Sequence, residues 1–354
     1  MSRFIQLHLL TAYPPANLNR DDQGSPKTAK MGGYDRLRVS SQCLKRTWRT
    51  SDLFQSAMSK HLGIRTKLLG LDIYNQLIAG GTKEKDAKEW TKAIAGIFGA
   101  LKKAENDKPL ADIEIEQLVH VSPAEQQAIQ LLVEKLITEQ RAPGVNELKL
   151  LRLSEQAVDI ALFGRMLASS PGFNIEAACQ VAHAISVHSV VIEDDYFTAV
   201  DDLNNGLEDM GAAHIGETRF AAGLFYSYIC INRELLVKNL DGNEALANKA
   251  IRALTEAAVK VAPEGKQNSF ASRAYASYVL AEKGNQQPRS LSIAYLKPIN
   301  HRENEDFITD SIAAIIKQRD SFDKVYGACA DERSELNVLK EEGTLAELLD
   351  FVGQ

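Results

Sequence analysis

The chain has 354 residues, 45% of them hydrophobic, and carries 41 Lys and Arg against 47 Asp and Glu, a formal net charge of -6. That length and apolar content suffice for one large or two smaller cored domains and exclude a disordered protein. Four cysteines, Cys43, Cys179, Cys230 and Cys329, lie far apart with no C-x-x-C, which argues against a disulfide framework or a zinc knuckle and for a reducing cytoplasm; no apolar run nears the ~20 residues of a membrane span.

Ile5, Leu7 and Leu9 alternate with Gln6 and His8, the period-2 pattern of a strand with one buried face. The charged NRDD that follows, with no small-residue cleavage pattern, does not fit a secretory leader. Pro14 and Pro15 are expected to end the strand, and residues 14–35, rich in Pro, Gly, Asn and Asp, to form a long loop. Ser40 or Ser41 then caps a helix expected to run to about Leu62, with Leu44 and Trp48 on its apolar side. Residues 64–163 read as a helical insertion, with breaks at KKAENDKP and RAPGVNE. Strand signals return at 181–192 (VAHAISVHSVVI) and 223–232 (GLFYSYICIN), and the spacer between them is too long for a tight hairpin. A helix at 244–261 (Leu246, Ala250, Leu254, Ala257 and Val261), a strand at 274–280 and helices at about 305–320 and 344–352 complete the chain. Strand, helix, strand, excursion, strand, helix, strand is the βαββαβ order of a ferredoxin-like or RRM-type domain, an α+β fold with two large interruptions.

No G-x-G-x-x-G, G-x-x-x-x-G-K-[ST] or G-x-S-x-G occurs, so no fingerprint marks dinucleotide, P-loop or nucleophile-elbow chemistry. His183 and His188, five apart on a strand, fall on opposite faces and make no chelating pair. Seven acids lie between Glu193 and Asp209 (Glu193, Asp194, Asp195, Asp201, Asp202, Glu208 and Asp209), with no Lys or Arg among them. They fit a solvated or partner-facing loop better than a magnesium site, because loop spacing does not make carboxylates converge. No metal and no cofactor is therefore expected.

Charge is uneven. Residues 17–49 hold eight Lys and Arg and three acids, +5 in a chain of net -6. Within them Gln42, Lys45, Arg46 and Arg49 fall at i, i+3, i+4 and i+7, one stripe of a helix whose Leu44 and Trp48 lie on another. Such a helix packs through its apolar stripe and shows three cations and an amide outward, and the N–H groups of its first turn, Ser40 to Gln42, suit a phosphate oxygen. A sugar-phosphate backbone offers such anions in series.

LNRDD (18–22), RLRVSSQCLKRTWR (36–49), GRM (164–166), FTAVDDL (197–203) and AHIG (213–216), in this order, resemble the CasC backbone subunit of the type I-E CRISPR surveillance complex, Cascade. The resemblance is strongest over residues 1–49 and 157–232. It implies a hand-like chain: a palm in 1–60, 161–192 and 223–354, helical fingers in 61–160 and an extended thumb in 193–222. It implies, too, that Arg20, Arg38, Ser40, Gln42, Lys45, Arg46 and Arg49 hold CRISPR RNA, that Met166 wedges beside a kinked base, and that Phe197, Thr198 and Ile215 flank a displaced nucleotide. GKQ (265–267) adds Lys266, and 204–212 is a few residues longer than the usual thumb. The implied partners are the CRISPR RNA, target DNA through that guide, further copies of the chain, other Cascade subunits and a recruited helicase-nuclease; the chain itself is expected not to be an enzyme. Two rivals remain: a type III-like subunit cutting target RNA with Asp21 or Asp22, and a stand-alone RRM-like protein stacking bases on Tyr226 and Tyr228.

Overall fold

The structure, a computed structural model, describes residues 2–154, 157–199, 214–300 and 306–354. The chain opens with strands β1 (Phe4–Ala16), β2 (Thr28–Met31) and β3 (Tyr34–Val39), then helices α1 (Ser41–Thr50) and α2 (Asp52–Met58). Next come β4 (Ile64–Thr66), α3 (Leu69–Ala79), α4 (Glu84–Phe98), β5 (Val119–Val121), α5 (Pro123–Glu139) and α6 (Val158–Phe163). Strands β6 (Cys179–Val181), β7 (Ala184–Ser186), β8 (Glu193–Ala199) and β9 (His214–Asn232) precede α7 (Arg233–Asn239), α8 (Glu244–Lys260) and the single turn α9 (Gln267–Phe270). The end of the chain is β10 (Tyr278–Gly284), α10 (Phe307–Tyr326), β11 (Glu332–Asn337) and α11 (Leu345–Gly353). Two compact units result, one of Met1–Phe54, Val181–Cys230 and Ile251–Gln354, the other of Gln55–Gln180 and Ile231–Ala250.

The first unit is built on a sheet of order β11-β10-β1-β9-β7-β3-β2. Its middle, β10-β1-β9-β7, places the four strands of the βαββαβ series in the order fourth, first, third, second, the ferredoxin-like arrangement expected from the sequence. As an inner strand β1 is buried on both faces: Ile5 and Leu7 at 1% and 0% exposure, Gln6 and His8 at 2% and 0%. The polar face expected of it does not exist. Gln6 and His8 serve a buried network instead, with His8 Nδ1 2.8 Å from the Tyr226 hydroxyl and Nε2 3.3 Å from Glu282. Glu282 also accepts from Arg289 and from Arg333 Nε. Burial pushes the Glu282 carboxyl up, but hydrogen bonds from His8 and Arg289 outweigh it and hold the group well below the usual carboxylate range. These partners explain why β10 runs to Gly284 and not, as expected, from 274 to 280: Glu282 and Lys283, beyond the expected strand, are buried strand residues.

The prolines do not end β1. Its ladder with β10 stops at Leu10↔Tyr278, so beyond that point β1 is an edge on that side, where a residue lacking an N–H is tolerated. Residues 28–39, of which 28–35 fall within the expected loop, form the β2–β3 hairpin, Thr28↔Leu37 through Met31↔Tyr34. Its two-residue turn is Gly32 and Gly33 at φ +61° and +85°, conformations that glycine alone adopts without strain. Helix α1 stops at Thr50, short of the expected Leu62, because Ser51 is extended (φ -67°, ψ 143°). Its hydroxyl donates to Trp48 O and accepts from Phe54 N, ending one helix and starting the next. The strand expected at 181–192 is interrupted too: His188 Nε2 accepts from Leu224 N (3.1 Å), a side chain standing where a ladder carbonyl would be.

In the second unit α3, α4 and α5 bury Ile73, Leu77, Ile94, Phe98, Val133 and Leu136 in one core. The short ribbon β4–β5 (Ile64↔Val121 to Thr66↔Val119) has no counterpart in the sequence reading. Its polar centre is Glu125, which closes the capping box of α5 with Ser122 and takes both oxygens to Arg165.

Candidate nucleic-acid interface

Helix α1 is oriented by what it buries. Leu44, Thr47 and Trp48 are inside, while Gln42 and Arg46 are exposed and Lys45 and Arg49 half-buried. Ser40 is the N-cap, its hydroxyl accepting from Cys43 N (3.2 Å). Two further acceptors come from outside the helix: Asn19 Oδ1 takes the Ser40 N–H and His183 Nδ1 the Ser41 N–H, each at 2.9 Å. The first turn therefore offers fewer N–H groups to a phosphate than the sequence suggested. His183 is held below the ordinary histidine range, by burial first and then by Arg38 and Lys27, which suits its work as an acceptor. That role and the contacts of His188 account for both histidines.

One of the eight cations of 17–49 belongs to the core. Arg36 is 0% exposed, donating to Ser186 O (3.0 Å) and Tyr295 O (2.8 Å). Arg38 is half-buried on β3, with its backbone N–H on Lys27 O (2.8 Å).

The LNRDD segment is a built loop. Asp21 Oδ1 accepts from Gln23 N and Ser25 N (2.9 Å each), and Lys27 N bonds Asn19 O (2.8 Å). Arg20 stands exposed on it. With α1 and the loop before α9 it encloses a groove of about 500 Å³ lined by Arg20, Asp22, Arg46, Thr50 and Glu264. Gly265 is what lets those loops meet: a Cβ there would lie 2.2 Å from Leu18 O. Lys266, next in the chain, is exposed in a left-handed conformation (φ +50°). Arg20, Arg46 and Lys266 are thus brought to neighbouring segments. Asn19 and Glu264 belong to the same place, and no sequence signal separated them from ordinary loop residues.

The described part of the acidic spacer is one strand of a two-stranded arm. β8 pairs with the outer part of β9 from Glu193↔Phe220 to Ala199↔His214, a paired stem that the reading of this spacer as too long for a tight hairpin did not foresee. Thr198 pairs with Ile215, and Phe197, 44% exposed, lies over Gly216. Asp194 pairs with Arg219 at 2.9 Å. Asp201, Asp202, Glu208, Asp209, the longer segment 204–212 and the Ile215 side chain lie outside the described residues.

Met166 sits on the second unit at 78% exposure. Its neighbours explain that: Arg165 is anchored on Glu125 at 2.7 Å, and Leu167 is buried with its N–H on Asn174 Oδ1 (2.7 Å). The residue between two anchored neighbours is left in solvent. Tyr226, by contrast, is 4% exposed and packed against Tyr295 and His8, so it offers no base-stacking platform. Among the described residues no group of three or more His, Cys, Asp or Glu is placed to hold a metal ion, and no helix is long and apolar enough to cross a membrane.

The same fold is found in chains of solved structures titled as CRISPR RNA-guided surveillance complexes. One, from a complex titled "CRISPR RNA-guided surveillance complex, pre-nicking", superposes with a TM-score of 0.83 at 25% identity over 99% of each chain. A second, from a "CRISPR RNA-guided surveillance complex", shares the fold at a TM-score of 0.75 and 21% identity, again over 99% of both chains. The chain belongs to the family Cas_CT1975, described as CT1975-like protein, whose model matches residues 5–350. No curated protein matches it.

Proposed function

We propose that the chain is the backbone subunit of a type I-E CRISPR surveillance complex, of the CasC kind, assembling in several copies along one guide RNA in the cytoplasm and displaying it for pairing with target DNA. The observation that carries this reading is the outward cationic stripe of α1, set beside Arg20 and Lys266 in a chain that is acidic elsewhere. In this reading the first unit is the palm, the second contains the fingers and the β8–β9 arm is the thumb. Arg20, Arg38, Ser40, Gln42, Lys45, Arg46, Arg49 and Lys266 hold phosphates. Such contacts fix register without reading bases, which is what any guide sequence requires. Met166 and the arm residues Phe197, Thr198 and Ile215 flank the kinked nucleotides, where an apolar wedge replaces lost stacking. Acidic surfaces, the arm above all, meet neighbouring copies and subunits, and a helicase-nuclease cuts the DNA.

Because cutting belongs to another protein, this chain is not a nuclease in our reading. The Asp21 carboxylate is committed to two backbone N–H groups of its own loop, which disfavours the rival with a loop aspartate as catalyst. Incubated with guide RNA, labelled complementary RNA and Mg2+, the protein should bind guides of unrelated sequence equally and leave the complementary strand intact. A cleavage ladder that disappears in Asp21→Ala or Asp22→Ala would favour the type III-like rival.

A further inference from the structure

Three segments far apart in sequence are tied together at the root of the arm. Arg219, on β9, reaches in two directions: its Nε donates to Asp194 Oδ1 on β8 (2.9 Å), and a terminal nitrogen donates to Ser25 Oγ in the loop that carries Arg20 (3.0 Å). Its carbonyl accepts from Nδ2 of the fully buried Asn17 (2.9 Å), which also donates to Gly24 O (2.8 Å). One residue on, the Phe220 ring lies 6.0 Å from that of Phe270 in α9. The loop just before α9 carries Lys266 and is seated on Leu18 through Gly265.

We propose that Arg219 is a positioning residue. It clasps the arm to the loop bearing Arg20, so that the arm and the phosphate groove move as one body and a phosphate held at Arg20 sets the angle at which the arm meets the RNA. The proposal rests on the RNA-binding reading for its consequence, and on the bonds above for the clasp. An exposed ion pair such as Asp194–Arg219 is weak alone. Here it is one of three bonds converging on a single residue, and another of them comes from a buried amide. The guanidinium matters because its donors are fixed in a fork and can satisfy Asp194 and Ser25 together, whereas an ammonium at the end of a flexible stem holds one or the other.

Arg219→Lys therefore separates a clasp from a charge, since it keeps the charge and loses the fork. In the full chain without RNA, amide hydrogen exchange should rise about tenfold in Arg219→Lys and Arg219→Ala, and it should rise together in residues 17–26 and in the 193–199 stem. Guide RNA should still bind within about threefold of the unaltered protein, but evenly spaced nucleotide exposure in chemical probing should lose contrast in both variants. Unchanged exchange in either segment would overturn the clasp. Restoration of the spaced pattern by Arg219→Lys would overturn it as well, showing that Arg219 supplies charge alone. Failure of the unaltered protein to bind guide RNA would sink the RNA-binding reading, and the exchange comparison would still decide whether the clasp exists.

Discussion

Replacing Lys45 and Arg49 together by alanine should weaken guide RNA loading by about 10-fold to 100-fold, two contacts at roughly 0.7 to 1.4 kcal/mol each. The loss should be the same for every guide sequence, because phosphates carry no sequence information. The slope of log affinity against log salt should fall by about 1.4, from ~0.7 per phosphate contact on a single strand. Helix α1 should survive the change: its buried face is Leu44, Thr47 and Trp48, its cap is Ser40, and alanine favours helix. Binding measured across a salt titration, with circular dichroism as the folding control, reads both quantities. Unchanged affinity and slope would remove α1 from the RNA surface.

The second large effect is expected at the arm. Exchanging residues 199–213 for a short Gly-Ser linker keeps the stem from Glu193↔Phe220 to Thr198↔Ile215, and closing a loop of changed length costs well under about 1 kcal/mol. The monomer should fold with an unaltered melting temperature. Assembly should fail: on a full-length guide, light scattering should show small complexes in place of the regular array, because each copy has lost its reach to the next. Full-size complexes with periodic nucleotide exposure would show that this segment is not the thumb.

The pattern of the sequence that survived folding is the part set by local chemistry. The α1 stripe was legible because i, i+3, i+4 and i+7 spacing is a property of any helix, and the ferredoxin-like order because alternation and helical periods follow one another along the chain. What escaped depends on partners distant in sequence. Glu282 lies beyond the strand expected at 274–280 and is buried there because Arg289 and Arg333 neutralise it, and Arg36, one of the eight cations of 17–49, is buried because Ser186 O and Tyr295 O take its donors. The β2–β3 hairpin was missed for another reason: Gly32–Gly33 between alternating residues is a turn signal, but it lay inside a segment whose composition read as loop. At the candidate site, Arg20 and Arg46 line one groove with Glu264, and the segment that carries Lys266 reaches it because Gly265 permits two backbones to touch. No periodicity encodes that contact. Met166 is exposed because both of its neighbours are anchored, a fact of the fold and not of its residue type.

Whether this chain carries a CRISPR guide is decided by the nucleic acid that it retains. Expressed beside a repeat-spacer array, affinity-purified and treated with nuclease, the full chain should protect RNA whose sequences, once extracted and read, are spacers flanked by repeat fragments. Recovery of no RNA, or of unrelated cellular transcripts without repeat sequence, would show that the chain is not a guide carrier.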